Sequence, residues 1–317
     1  MGLQVCIAIL GMHRSGTSAL GGVLHALGIS MGQTLVEAKK HNPKGYFENK
    51  KIIDFNDYVL FPILEHTWDD LSLLPEGWEE HEEVRGLYSI AKEIIRDDYS
   101  HEKLFGVKDP RLCILFPFWE KVLRDLNIEI KVILPYRNPE EIYRSLQKRD
   151  GFSREKTFLM WVKYVLLAEY YSRKYPRVAI AYYDLLGEPK ETVKKIFQRL
   201  YVDVEDMDSK IDHAALFVEK GLKHYNGDNS LVSPVPIFVQ ETNELYLQLI
   251  AGDPGLEQAF DRVREEYMTN TSFFLHDNKE LIEQKFKLHI NNRKLSHRLR
   301  NRLKPIYELY KHKMNKD

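Results

Sequence analysis

The residues of this chain with the clearest chemical potential lie in the segment 9–18. An apolar run ends at Gly11, a short loop containing Arg14 follows, and Thr17 and Ser18 open an apolar segment with helical character. Strand, tight loop and helix N-terminus together present backbone N–H groups and a helix dipole to an anion such as phosphate. Arg14 could pair with two oxygens of one anionic group. The alternative is an ordinary strand-to-helix turn, since glycine and serine are common in turns.

The loop resembles a nucleotide-triphosphate loop but departs from it at one position. Gly11 and Gly16 have the spacing of G-x-x-x-x-G-K-[ST], yet Thr17 stands where that pattern has lysine. The cation has moved inside the loop, to Arg14. A guanidinium keeps its charge but cannot donate a proton at neutral pH. The pattern therefore predicts a site for a phosphate-bearing nucleotide that need not be ATP.

Two further strand ends carry polar side chains that could join this site. Lys108 and Arg137 each end an apolar run, and ligands of parallel sheets gather beyond the carboxyl ends of the strands. Lys108 could stabilise negative charge on a leaving oxygen. Arg137 could hold a second phosphate together with Ser145, which lies two turns into the next predicted helix. The alternatives are a turn in which Asp109 pairs with Arg111, and a solvated charge at Arg137.

A polar segment, 41–48, returns from the first predicted helix toward the sheet. Within it, Glu48 or His41 could act as general base toward an acceptor hydroxyl. Glu48 could equally be a first-turn carboxylate of the helix predicted to begin near Lys51. The residues alone favour neither interpretation.

The elements that must position these residues alternate between strand and helix. Apolar runs predict strands at 5–10, 104–107, 130–135 and 178–182, and helices are predicted at 17–27, 51–64, 82–97, 115–126, 139–148, 154–174 and 189–200. This alternation predicts an α/β fold of three layers, P-loop-like, with a central mostly parallel sheet flanked by helices. Helical patterns continue beyond about residue 206, and 227–236 reads as a loop.

Composition narrows the class of protein. The chain has 317 residues, 44% of them hydrophobic, and a net charge of −1, so it is not built to bind nucleic acid. Its two cysteines, Cys6 and Cys113, lie in apolar surroundings and are expected to be buried, and no metal-ligand spacing is present. No signal peptide and no apolar run of roughly 20 residues is found. A cytoplasmic protein is expected.

The C-terminal segment differs from the rest in charge. Twelve basic and four acidic residues give 278–317 a charge of +8, which leaves −9 on the preceding residues. Apolar residues recur there at helical spacing, so we expect a domain over 1–275 and a basic amphipathic helical tail over 276–317. The tail could pack on the domain, or it could contact an anionic membrane or an anionic polymer.

Four segments in order, 11–18, 42–48, 107–112 and 136–139, resemble the successive motifs of sulfotransferases that use 3′-phosphoadenosine 5′-phosphosulfate (PAPS), especially the bacterial branch. The resemblance covers roughly residues 4–225. It implies that the 5′-phosphosulfate is held by the loop residues Arg14, Ser15, Gly16, Thr17 and Ser18, and the 3′-phosphate by Arg137 and Ser145. It also implies that Glu48 is the base and that Lys108, with Arg14, reaches the transferring group.

The resemblance implies an in-line transfer of a sulfuryl group to an acceptor hydroxyl, most often on a carbohydrate or glycolipid. A sulfuryl group carries less charge than a phosphoryl group, so no metal is expected. Two alternatives remain at this point: a P-loop kinase or nucleotide phosphotransferase that uses ATP and magnesium, and a non-catalytic nucleotide-binding interaction module. Acceptor specificity is expected in the loops 65–81 and 225–240.

Overall fold

The computed structural model describes residues 3–38, 42, 44–219 and 231–272. The predicted tail, His41 and part of the predicted 227–236 loop lie outside the described residues. Residues 231–236, the described part of that loop, contain neither helix nor strand, as expected.

Four parallel strands form the described sheet: β1 (Gln4–Ile9), β2 (Leu104–Lys108), β3 (Ile128–Tyr136) and β4 (Arg177–Ala181). Their spatial order is β2-β1-β3-β4, with Ile9 opposite Lys108 on one side and Ile133 on the other. The predicted α/β fold with a central parallel sheet is thereby confirmed. Two predicted strands extended one residue too far, because β1 ends before Leu10 and Tyr182 begins a helix rather than ending β4.

Helices cover both faces of the sheet. They are α1 (Thr17–Ala26), α2 (Lys50–Phe55), α3 (Phe61–Ile63), α4 (Glu82–Arg85), α5 (Tyr88–Tyr99), α6 (Leu112–Asp125), α7 (Pro139–Asp150), α8 (Arg154–Ser172), α9 (Tyr182–Gly187), α10 (Pro189–Leu200), α11 (Met207–Glu219), α12 (Ile237–Ala251) and α13 (Glu257–Ser272). A π-helical turn, Asn56–Leu60, joins α2 to α3, and a short 3₁₀ turn covers Trp78–Glu80.

Alternating residues of β1 divide the core into two parts. Cys6 and Ala8 pack into a core shared with α5, α6, α8, α12 and α13, whereas Ile7 and Ile9 pack against α1, α10 and α11. Successive side chains of a strand point to opposite faces, so a central strand that is apolar throughout requires a helical layer on each side. Both cysteines are buried, as expected, and burial raises the pKa of each thiol.

Three predicted helices needed correction. The predicted helix 51–64 contains the π-helical turn, and the predicted helix 82–97 is interrupted between α4 and α5, at the helix-weakening residue Gly86. Helix α6 begins at Leu112, three residues before the predicted start at 115, because the turn at Asp109 already bonds to the Leu112 amide. The predicted helical character beyond residue 206 is confirmed by α11, α12 and α13.

Among the described helices, none has the length and apolar character needed to cross a membrane.

Candidate functional site

Residues 10–16 connect β1 to α1, and we call this segment the donor loop. Because β1 lies between β2 and β3, the loop emerges between the carboxyl ends of those two strands. The amide of Leu10 donates to the carbonyl of Ile133 at 3.0 Å, which ties the loop's start to β3. The strand order reverses direction at this point, which is where open α/β sheets form their ligand crevice.

The shape of the donor loop depends on its two glycines. A Cβ on Gly11 would lie 2.4 Å from Pro135, and one on Gly16 would lie 2.4 Å from the Tyr182 ring. Gly16 also has a φ of 91°, in the left-handed region that side chains disfavour. The Ser15 hydroxyl donates to the Met12 carbonyl at 2.7 Å, so this predicted ligand residue shapes the loop.

The loop leaves the N-terminus of α1 without a side-chain cap. The structure shows no side-chain capping hydrogen bond there, as at several other described helices, whereas α2 is capped by Asn49, α7 by Asn138 and α8 by Ser153. The first amides of a helix have no partner within the helix, and an anion can satisfy them. The start of α1, at Thr17 and Ser18, therefore has the geometry of an anion site.

Arg14 lies in the loop with φ 70°, a conformation uncommon for residues other than glycine. Its Nε donates to the Ser145 hydroxyl at 2.6 Å. In the part of the chain that the structure describes, no carboxylate lies within ion-pair distance of Arg14. Burial lowers the pKa of Arg14, and the nearby charges of Arg149 and Arg137 lower it further. The site thus concentrates positive charge that an anion would stabilise.

Arg137 follows β3 and reaches the same loop. Its Nη1 donates to the Arg14 carbonyl at 3.0 Å, and its Nε donates to Glu141 at 2.8 Å. Glu141 also accepts from the Tyr183 hydroxyl, and the Arg137 guanidinium lies 4.9 Å from the centre of the Tyr182 ring. Arg137 is therefore a positioned residue, and the alternative of a solvated charge is wrong. Both Arg137 and its predicted partner Ser145 contact Arg14.

Lys108 and Glu48 form a buried ion pair on the other side of the loop. The Lys108 ammonium also donates to the Ser18 hydroxyl at 3.2 Å and to the Tyr46 carbonyl at 3.3 Å. Burial raises the pKa of Glu48, and the charge of Lys108 opposes that shift. The structure therefore brings the predicted base, the predicted cation and the start of α1 together.

Two sequence alternatives near this pair can now be assessed. Helix α2 is capped by Asn49, whose side chain accepts from the Lys51 amide at 2.9 Å. Glu48 precedes that cap and pairs with Lys108 instead of serving the helix. The suggested pairing of Asp109 with Arg111 is present, at 2.8 Å, and it coexists with the Lys108 contact.

Asp109, the residue after Lys108, is the centre of a buried hydrogen-bond network. Its carboxylate accepts from Asn56 at 2.8 Å and from the Arg111 amide at 3.0 Å. Arg111 also binds Asp57, so two neighbouring residues of the π-helical turn both reach the end of β2. In a regular α-helix, adjacent side chains point about 100° apart, so the π-helical turn is what allows both residues to reach the same strand end. Asp109 is already engaged in these bonds, and no cluster of three or more potential metal ligands occurs among the described residues.

His13 has a polar atom without a partner in the described structure. Its Nε2 is buried and unbonded, and its ring lies 4.4 Å from that of Trp68. Burial lowers the pKa of His13 well below its usual value, with Arg111, Arg149 and other cations acting in the same direction. His13 is therefore neutral at physiological pH.

Sequence reasoning missed several residues at this site: Tyr182, Glu141, Arg149, His13 and Trp68. Glu141 and Arg149 could have been identified from the sequence, because each lies four residues from Ser145 and hence on the same face of α7. Trp68 and Tyr182 come from other elements, and no local pattern connects them to the loop.

No protein-family model matches the chain, and no curated protein matches it. Among solved structures, it is similar to a sulfotransferase domain from the Synechococcus PCC 7002 olefin synthase, with 16% identity, a TM-score of 0.46, and coverage of 80% of this chain and 96% of that one. A sulfotransferase domain from the curacin biosynthetic pathway shows 16% identity, a TM-score of 0.35, and coverage of 65% and 77%. A sulfotransferase from Mycobacterium tuberculosis shows 14% identity, a TM-score of 0.37, and coverage of 80% and 78%. The functional conclusion below therefore depends on this chain's own residues.

Proposed function

We propose that this protein is a sulfotransferase that moves a sulfuryl group from PAPS to an acceptor hydroxyl. The observation that carries the proposal is Arg14, a half-buried guanidinium in a strand-loop-helix turn, bonded to a neutral hydroxyl and lacking a carboxylate partner among the described residues. A desolvated, uncompensated charge is costly unless a ligand of opposite charge accompanies it. The motif resemblance supplies the identity of that ligand.

The donor would bind across the loop. Backbone amides at the start of α1 and the Arg14 guanidinium would hold the 5′-phosphosulfate. Arg137 and Ser145 would hold the 3′-phosphate, with the Ser145 hydroxyl changing partner from Arg14 to the phosphate. Thr17 in the lysine position of the nucleotide-triphosphate pattern supports this donor over ATP.

In the proposed transfer, the acceptor oxygen forms a bond to sulfur while the bond from sulfur to the 5′-phosphate oxygen breaks. Glu48 takes the acceptor proton, a role favoured by the raised pKa that burial gives it. The negative charge left on the phosphate is balanced by Lys108, Arg14 and the loop amides. This scheme includes no metal, because these cations would neutralise the charge of the leaving group.

The acceptor we propose is a hydroxyl on a carbohydrate or glycolipid, on the strength of the motif resemblance. The segment 65–81 reaches the donor loop through Trp68, in keeping with a role in acceptor selection. A cytoplasmic location and a peripheral contact of the tail 276–317 with anionic membrane complete the proposal. Both come from the sequence.

Calorimetry with adenosine 3′,5′-bisphosphate (PAP) and ADP tests the donor. We expect PAP to bind without magnesium and more tightly than ADP. Arg14→Gln should weaken the binding of PAP by about 10- to 100-fold, the range expected for the loss of a charged hydrogen bond. Arg144→Gln, at an exposed position of α7, is the control and should bind PAP like the wild type.

Two other outcomes of these measurements would each indicate a different class of protein. Magnesium-dependent binding of ADP with no binding of PAP would favour a kinase. PAP binding without turnover of labelled PAPS on any screened acceptor would favour a non-catalytic nucleotide-binding module.

A further inference from the structure

The Lys108 ammonium contacts both the proposed base and the start of α1. Lys108 is the last residue of β2 and pairs in register with Ile9, the residue before the donor loop. Its Nζ donates to the Glu48 carboxylate and, at 3.2 Å, to the Ser18 hydroxyl. Ser18 is the second residue of α1, where the first amides of the helix are open to an anion. One cation is therefore within reach of the base and of a bound donor.

Each of the three N–H groups of this ammonium has a partner in the described structure. Besides Glu48 and Ser18, the third partner is the Tyr46 carbonyl, at 3.3 Å. An anion that accepts a hydrogen bond from Lys108 must therefore displace or weaken one of these bonds. Whichever bond gives way, the charge of Lys108 is then shared between the anion and Glu48.

Glu48 depends on Lys108 for its ionised state. Its side chain is buried, and a buried carboxylate is costly unless a cation accompanies it. The other charged groups that face Glu48 are Asp109 and Arg111, both just beyond the end of β2. Two carboxylates, Asp57 and Asp109, already balance Arg111. Within the described chain, Lys108 is the cation at ion-pair distance from Glu48.

A bound donor would alter this balance. Burial raises the pKa of Glu48, and the charge of Lys108 opposes that rise. The anionic groups of the donor would draw on the charge of Lys108 and would add negative charge near Glu48, and both effects disfavour the ionised carboxylate. Such effects are stronger in a buried site than in water, because the surroundings screen charge less. Glu48 would then bind a proton more readily than it does in the free protein.

We infer that Lys108 is shared between Glu48 and the donor, so that donor binding makes Glu48 a stronger proton acceptor. This inference rests on the proposed function and adds a regulation of the same site. The transfer itself is unchanged: the acceptor proton passes to Glu48 as the acceptor oxygen bonds to sulfur, and the electron pair of the broken bond stays on the 5′-phosphate oxygen. The coupling is reciprocal, so protonation of Glu48 strengthens donor binding.

Proton uptake on nucleotide binding tests the inference without an acceptor. Calorimetric titration of PAP in buffers with different heats of ionisation gives the number of protons taken up per PAP bound. Over about pH 6–8 the wild type should take up a fraction of a proton more than Glu48→Gln, because the phosphates of PAP contribute equally in both proteins. The affinity of the wild type for PAP, relative to that of Glu48→Gln, should rise as the pH falls, by at most about tenfold per pH unit.

Glu241→Gln is the matched control, because it makes the same change on α12, where Glu241 pairs with Arg262. This variant should take up protons like the wild type. If Glu48→Gln does not fold, the double variant Lys108→Gln with Glu48→Gln replaces it in the comparison, since the double variant leaves no unpaired buried charge.

A failure of the proposed function and a failure of this inference give different results. If the wild type does not bind PAP, the proposed donor is wrong. If the wild type binds PAP but takes up no more protons than Glu48→Gln at any of these pH values, the inference is overturned. Loss of the extra uptake in Glu241→Gln would also overturn it, because Glu48 would then not be the source.

Discussion

The charges around the donor loop fall into two groups. Most cations have a carboxylate partner: Lys108 with Glu48, Arg111 with Asp57 and Asp109, Arg137 with Glu141, and Arg149 with Asp150. Arg14 differs, because within the described chain its hydrogen bond goes to the hydroxyl of Ser145. The paired cations are held in place before any ligand arrives, and the charge of Arg14 is left for the ligand to balance.

Glu48→Gln tests the role of the base. The variant keeps the size of the side chain but cannot accept the proton, so kcat should fall by about 10²- to 10⁴-fold. PAP affinity should stay equal or increase, because Lys108 loses its negative partner. Turnover of labelled PAPS with an acceptor found by screening, and calorimetry with PAP, measure the two effects.

Losing one partner of a buried ion pair also costs about 3–5 kcal/mol of stability, so the variant must be shown to be folded at the assay temperature. An unchanged kcat in the folded variant would exclude Glu48 as the base.

Lys163 makes stability depend on pH. It is fully buried on α8, where its ammonium lies 3.0 Å from His66 Nε2 and donates to the Asp70 carbonyl at 3.0 Å. Burial lowers the pKa of Lys163 to about 7. Above that pH the unfolded chain binds more protons at this residue than the folded protein does, so stability rises with pH until the lysine of the unfolded chain also loses its proton.

Lys163→Met should remove that contribution. The unfolding free energy of the wild type relative to the variant should rise by about 2–3 kcal/mol between pH 7 and pH 9. Chemical denaturation at several pH values measures this difference. Parallel curves for the two proteins would show that Lys163 is not the titrating group.

At the scale of elements, the donor loop depends on a left-handed backbone conformation at Gly16 that residues with a side chain disfavour. Gly16→Ala would place a methyl group in a left-handed conformation, which costs about 1–2 kcal/mol, and against the Tyr182 ring. We expect PAP affinity to fall by more than about tenfold, because the loop must move away from Tyr182. Gly187→Ala is the matched control, since nothing lies within 4 Å of its added carbon. Equal PAP affinity in both variants would contradict this prediction.

The π-helical turn shows how one element serves another. Asn56 donates to Asp109 and accepts from Trp119, both at 2.8 Å, while the adjacent Asp57 binds Arg111. The sequence of this region predicts a continuous helix, and its apolar positions give no sign of the change. Buried polar groups must find partners, and these hydrogen bonds compensate for the irregular turn.

At the scale of the whole molecule, the helices α12 and α13 pack into the same hydrophobic core as the sheet. Glu169 on α8 is 1% exposed and binds Arg173 and Arg177, and Arg173 also pairs with Asp261 of α13 at 3.0 Å. This network joins α8, β4 and α13. It lies away from the donor loop.

Glu169→Gln should therefore lower the unfolding free energy by about 3 kcal/mol, as expected for removing one member of a buried charge network. PAP affinity should change by less than about twofold. Glu241→Gln, which breaks a partly exposed pair with Arg262 at 3.6 Å, should cost less than about 1 kcal/mol. Urea denaturation measures both variants, and equal losses would contradict the prediction.

The sequence by itself determined the parallel α/β fold and the residues that could bind an anion. Strand and helix patterns depend on near neighbours, and so does the spacing of Gly11, Arg14 and Gly16, which is why both are readable without a structure. It also predicted that Lys108 and Arg137 lie at strand ends. The order of those strands was left open.

Tertiary structure decided which of these residues meet and what holds them. The order β2-β1-β3-β4 places Lys108 and Arg137 on either side of the loop, and packing adds Trp68 and Tyr182 from other elements. Contacts such as Arg14 to Ser145 join residues 131 positions apart. No local pattern encodes them, because they depend on the burial and pairing of the whole chain.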